Sequence, residues 1–132
     1  MFDQSIFEGL GEARFREIEA KVLEELCSKE RCVISTGGGA VLSPSNRTLL
    51  KERCICIYLR SNPEELIRRL RNDRKRPLLQ VEDPLGVLRE LFLQRDQLYE
   101  EAASFVVDTG RPSVHAVVNT ISRHLDSCLW GF

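Results

Sequence analysis

Three consecutive glycines, Gly37-Gly38-Gly39, constrain this chain more than any other stretch. They follow a short apolar pair, Val33-Ile34, within Cys32-Val33-Ile34-Ser35-Thr36, and they precede Ala40 and a helix signal, Ser43-Pro44. A run that ends in glycines and then turns into a helix reads as a βα corner of an α/β protein. Lacking a Cβ, Gly37 to Gly39 are free to take positive φ and to let a ligand touch backbone N–H groups. A tight turn alone would also use such residues; three of them at a strand end favour a ligand site.

The rest of the chain alternates around that corner. Residues 1–11 are mixed, with Ile6, Phe7 and Leu10 as apolar anchors. A helix is expected from Glu12, with Phe15, Ile18, Val22 and Leu26 as its apolar stripe. Ser43 caps a second helix that runs to about Arg53, with Pro44 at its first position. Cys54 to Leu59 is a continuous apolar run, the pattern of a strand buried on both faces. Ser61-Asn62-Pro63 opens a third helix carrying Leu66, Ile67 and Leu70. Residues 74–83 read as an irregular loop, followed by a long helix from Pro84 to Ala102. Phe105 to Asp108 is a further strand, and Ser113 caps a last helix with Val114, Val117, Val118, Ile121 and Leu125 on one stripe. The tail from Ser127 to Phe132 is expected to fray. This alternation implies a parallel sheet with helices on both faces.

Composition matters here mainly for what it excludes. A net charge of -1 argues against a general binder of nucleic acid or acidic membranes. No apolar run approaches the length of a membrane span. Met1-Phe2-Asp3-Gln4 lacks a charged-then-apolar leader, so a cytoplasmic location is expected. The five cysteines (Cys27, Cys32, Cys54, Cys56 and Cys128) are odd in number and form no C-x-x-C pair. They read as small core hydrophobes in a reducing compartment, with Cys54 and Cys56 on one face of a strand, and no metal ligands are expected.

Few charges stand out as chemical candidates. Arg95 shares a helix face with Leu88, Leu91, Phe92 and Tyr99, and an inward guanidinium needs an anionic partner. That partner is either an internal carboxylate or a ligand. Arg16 flanks the first apolar stripe and by itself reads as solvated. The basic run from Arg68 to Arg76 is either a solvated face or a lid whose arginines fork onto phosphate oxygens. A nucleotide site would be expected to show G-x-x-x-x-G-K-[S/T], and none of the four lysines (Lys21, Lys29, Lys51, Lys75) precedes Ser or Thr.

Taken together, these stretches resemble the shikimate kinase family. Gly11-Glu12-Ala13-Arg14-Phe15-Arg16 is similar to its GE-x-x-FR segment, and Thr36-Gly37-Gly38-Gly39-Ala40 to its TGGGA turn. Arg76-Pro77-Leu78-Leu79 is similar to its RPLL lid motif. Arg95-Asp96-Gln97-Leu98-Tyr99 resembles R-x-P-L-Y, with Gln97 in place of Pro, and Val106-Val107-Asp108-Thr109 resembles its last strand. The likeness runs from about Ile6 to Leu125. It implies ATP- and Mg²⁺-dependent phosphorylation of the shikimate 3-hydroxyl in aromatic amino-acid synthesis. Arg16 and Arg95 would hold the shikimate carboxylate, and Gly37, Gly38 and Gly39 would meet the ring hydroxyls. Arg76 would reach the transferred phosphate from a lid at about 74–83. Arg69 would lie near the adenine, with Arg111 and Pro112 on its other side.

The resemblance also implies a departure. The family's first strand, P-loop helix and second strand have no counterpart in these residues, and with them go the P-loop Lys, the Mg²⁺-binding hydroxyl and the catalytic Asp. The expected fold is therefore α/β, an incomplete three-layer α/β/α arrangement with a short parallel sheet, in a single P-loop-kinase-like domain over 1–132. Three outcomes follow from this reading. The chain is a kinase segment inactive alone, or a non-catalytic module that binds shikimate or a similar carboxylate. Otherwise its open sheet is completed by a partner or by the missing segment.

Overall fold

A computed structural model describes residues 11–70, 82–110 and 113–130, the side chains at 69, 70, 129 and 130 apart. It divides into two compact units, one ending at Cys54 and one beginning at Ile55.

The first unit is built from two helices and a glycine-rich turn. Helix α1 spans Glu12–Cys27 and α2 spans Pro44–Arg53, with a 3₁₀ turn at Gly38–Leu42 between them. Gly11 precedes α1 with φ 77°, a left-handed value that glycine adopts without a Cβ penalty. At the other end of α1, the Ser28 hydroxyl donates to the Glu25 carbonyl at 2.7 Å. Ser43 caps α2 as expected, its Oγ accepting from the Asn46 N–H at 3.4 Å, with Pro44 in the first turn. The core of this unit is Leu23, Cys27, Ala40, Val41 and Leu50.

The second unit holds a two-stranded parallel sheet. Strands β1 (Ile57–Arg60) and β2 (Phe105–Asp108) pair in register, from Ile57 opposite Phe105 to Arg60 opposite Asp108. Helices α3 (Pro63–Leu70) and α4 (Pro84–Ala102) make the crossover, and α5 (Val114–Trp130) follows β2 and packs on it. Each helix starts on a side-chain cap. Asn62 accepts from Glu65 N–H at 2.8 Å, Asp83 from Gly86 N–H at 3.1 Å, and Ser113 from Ala116 N–H at 3.1 Å. A Cβ at Gly86 would run into the Asp83 carboxylate, so that cap needs glycine. Leu88, Ala102, Ala103 and Val107 form the core.

Several expectations are corrected. No strand forms at 33–36: the segment has no regular structure and no ladder partner among the described residues, and Val33 is fully exposed. The strand expected at Cys54–Leu59 is Ile57–Arg60, because the pairing with β2 sets its limits. It is not buried on both faces, since Leu59 is 52% exposed. Cys54 consequently caps α2 instead of sharing a strand face with Cys56, and of the five cysteines only Cys27 is buried. The buried face of α1 is Glu19, Leu23 and Cys27, not the more apolar stripe one residue away. That face meets the small residues of the 3₁₀ turn and α2. The last helix continues to Trp130 where fraying was expected.

Candidate functional site

In the first unit the glycine turn is held by side chains. The Asn46 amide, buried at the start of α2, donates to the Ala40 carbonyl at 2.9 Å. Arg47 donates from Nη1 to the Val41 carbonyl at 2.7 Å and reaches the Leu42 carbonyl at 3.4 Å. These bonds satisfy carbonyls that a five-residue 3₁₀ turn leaves open.

Arg16 lies directly against this turn. A Cβ on Gly39 would overlap its guanidinium, so the third glycine makes room for Arg16 by close approach and not by positive φ. Positive φ is confined to Gly11 among the described glycines, which corrects the conformational expectation for Gly37 to Gly39. Arg16 Nη1 donates to Glu19 Oε1 at 2.8 Å, and Glu12 Oε1 stands 4.0 Å from Nε. Glu19 is buried, and its other oxygen faces Gly37. Arg16 Nε is itself buried without a hydrogen bond, so Glu19 uses only part of the guanidinium's donor fork. Arg16 is therefore half-buried and ion-paired, not a solvated residue.

In the second unit Arg95 lies on α4, half-buried, with no hydrogen-bond or ion-pair partner among the described residues. Its neighbour Asp96 is tied down. Tyr58 on β1 donates its hydroxyl to Asp96 Oδ1 at 2.8 Å, and Arg60 Nε stands 3.5 Å from the same oxygen. Arg60 Nη2 also donates to Glu100 one turn along α4, and the Tyr58 and Tyr99 rings lie 4.8 Å apart. Burial, and then the Asp96 hydrogen bond and charge, push the Tyr58 hydroxyl above its ordinary pKa, so it remains a donor. This cluster fastens the middle of α4 to β1 and fixes where Arg95 stands on the helix. At the end of β2, Thr109 Oγ1 bonds the Arg60 carbonyl at 3.0 Å and the buried Ser61 hydroxyl at 2.7 Å.

The structure thus brings Arg16 and the glycine turn together in one unit and places Arg95 in the other. Glu19, Asn46 and Arg47 were not singled out from the sequence. The only local signal for the last two was a polar Asn-Arg pair just after a cap, and none existed for Glu19. The lid arginine Arg76, together with Arg111 and Pro112, lies outside the described residues, as does most of the 74–83 lid. The Arg69 backbone is the penultimate residue of α3, and its side chain is outside the description.

Residues 3–126 match the family model for shikimate kinase. The shikimate kinase of Burkholderia pseudomallei (strain 1710b) is 51% identical over 121 residues, covering 92% of this chain and 66% of the relative. The shikimate kinase of Thiobacillus denitrificans is likewise 51% identical, with the same coverage. The chain therefore spans just under two thirds of the length of these curated relatives. Among solved structures, shikimate kinase from Acinetobacter baumannii in complex with shikimate superposes with a TM-score of 0.81 at 40% identity, covering 96% of this chain and 69% of that one. Shikimate kinase from Bacteroides thetaiotaomicron gives 0.80 at 28% identity, covering 95% and 73%. The chain belongs to the shikimate kinase family.

Proposed function

We propose that these residues form the shikimate-recognition part of a shikimate kinase, and that by themselves they bind the substrate without phosphorylating it. The carrying observation is the Arg16 guanidinium, lodged against Gly39 with its side chain 28% exposed beside Gly37 and Gly38. It offers a carboxylate or ring hydroxyl a fixed donor beside exposed backbone of Gly37 and Gly38. Arg95 is the second carboxylate partner, a cation with no internal anion among the described residues. Arg76, on a lid over about 74–83, would stabilise charge on the transferred phosphate, and Arg69, Arg111 and Pro112 would contact the nucleotide. Residues 1–132 act as one domain in this reading, in the cytoplasm.

Phosphoryl transfer depends on positioning and charge stabilisation around the phosphates and Mg²⁺. The 132 residues hold no G-x-x-x-x-G-K-[S/T]. Among the described residues, no three His, Cys, Asp or Glu side chains gather as metal ligands. The described groups do not fit a triphosphate-Mg²⁺ cradle, so no transfer step is assigned to them. A coupled ADP-release assay on the folded chain, with shikimate, ATP and Mg²⁺, is expected to stay at background. A shikimate titration of the same sample is expected to saturate, and Gly39→Ala is expected to weaken it by dislodging Arg16. Shikimate-dependent ADP release would refute the proposed inactivity, and absence of saturable binding would refute the recognition role.

A further inference from the structure

We propose that Cys27 and Cys54 form a redox pair, closed to a disulfide by a peroxide-class oxidant and reopened by a small thiol. The proposal is independent of how substrate binds. The two sulfurs are in contact, Sγ to Sγ 3.5 Å, although the residues are 27 positions apart. Both sit at fixed helix ends. Cys27 is the last residue of α1, and Cys54 follows α2 with its N–H bonded to the Leu50 carbonyl at 3.3 Å. A disulfide holds its sulfurs at about 2.05 Å, so closure asks for a relative shift of about 1.5 Å. Two side chains at helix ends can supply that by rotation.

The two residues differ in a way that assigns their roles. Cys54 is half-buried and Cys27 is buried, so a small oxidant meets Cys54 first. The Cys54 thiolate attacks the peroxide O–O bond, forms sulfenic acid and releases hydroxide. Cys27 sulfur then attacks the Cys54 sulfur. The S–S bond forms as the S–O bond breaks, and the departing hydroxide leaves as water with the Cys27 proton. Two thiols and one hydrogen peroxide thus become one disulfide and two waters. Burial, and then the Cys54 contact, push the Cys27 thiol up to about 11, which suits the slower, resolving partner. The closed loop contains the Gly37–Gly39 turn and all of α2, so oxidation would fasten the segment that carries the turn.

The exposed thiols Cys32 and Cys128 are the competitors. The test treats the reduced full chain with hydrogen peroxide, blocks remaining thiols with N-ethylmaleimide and maps tryptic peptides. Cys27 falls in peptide 22–29, Cys32 in 32–47 and Cys54 with Cys56 in 54–60, the last two distinguished by fragment sequencing. The expected product is a Cys27–Cys54 linkage that dithiothreitol removes, together with a melting midpoint raised by several degrees. Cys27 and Cys54 both blocked after peroxide, or Cys27 linked to Cys32 or Cys56, would overturn the proposal. The wild-type map decides this whether or not Cys54→Ser folds. In a Cys32→Ser, Cys128→Ser chain the same linkage is expected at undiminished yield, and its loss there would overturn the direct route.

Discussion

The two units solve the same problem with different chemistry. In the sheet unit, β1 and β2 are positioned by a backbone ladder, extended at one end by Ser104 N–H to Cys56 carbonyl (2.6 Å) and at the other by Thr109 N–H to Arg60 carbonyl (2.8 Å). In the turn unit no ladder forms among the described residues. Its glycine turn is held by the Asn46 amide, the Arg47 guanidinium and the packing of Arg16 on Gly39. The arginines follow the same division. Arg16 is committed to Glu19 inside its unit, and Arg95 has no anion among the described residues. A turn held by side chains is open to single substitutions in a way that a ladder is not, because each bond rests on one replaceable group.

That contrast can be broken at graded points. Arg16→Ala should have the largest effect on stability. It leaves the Glu19 carboxylate buried without its cation, at a cost of about 3 kcal/mol, measurable by urea unfolding. Raising pH should act nearly as strongly through Cys27. Burial holds its thiol up at about 11, above the ordinary 9.0. The folded state thus resists ionisation, and stability present below pH 9 declines as pH rises toward 11, by about 2–3 kcal/mol. Comparing the pH dependence of wild type and Cys27→Ala isolates this contribution, which the variant should lose.

Asn46→Ala should cost about 2 kcal/mol, because the Ala40 carbonyl is then left buried without its donor. Tyr58→Phe, which removes one hydroxyl from the sheet unit and leaves the ladder untouched, should cost about 1 kcal/mol in the same assay. Arg95→Ala should move stability by less than about 0.5 kcal/mol, since it breaks no pair within the described residues. If shikimate binding nevertheless falls away in Arg95→Ala, the separation between an arginine paired with a carboxylate inside the fold and one without such a partner is sharpened. If Arg95→Ala instead unfolds the chain, that separation is broken.

Local chemistry was the legible part of the sequence. The caps at Ser43 and Ser113, the helix opening at Ser61-Asn62-Pro63, Pro84 at the start of α4, and β2 at Phe105–Asp108 all depend on near neighbours in the chain, and the structure places them as read. Partnership was not legible. Val33-Ile34 has the composition of a strand, but a strand exists only where another pairs with it. Glu19 breaks the apolar pattern of the face it occupies. Its burial depends on Arg16 one turn away and on a turn some twenty residues on, so the periodicity pointed to the wrong stripe. For the candidate site, the resemblance named Arg16 and Gly39, but the reason for the glycine, an arginine occupying the space of its Cβ, emerged only from tertiary packing.

The most direct measurement is a calorimetric titration of shikimate into the folded chain in the presence of ATP and Mg²⁺. The predicted trace shows saturable binding heat, with each injection returning to a flat baseline. A sustained heat flow after each injection would mean turnover, and no saturable heat would mean that these residues do not recognise shikimate; either contradicts the account.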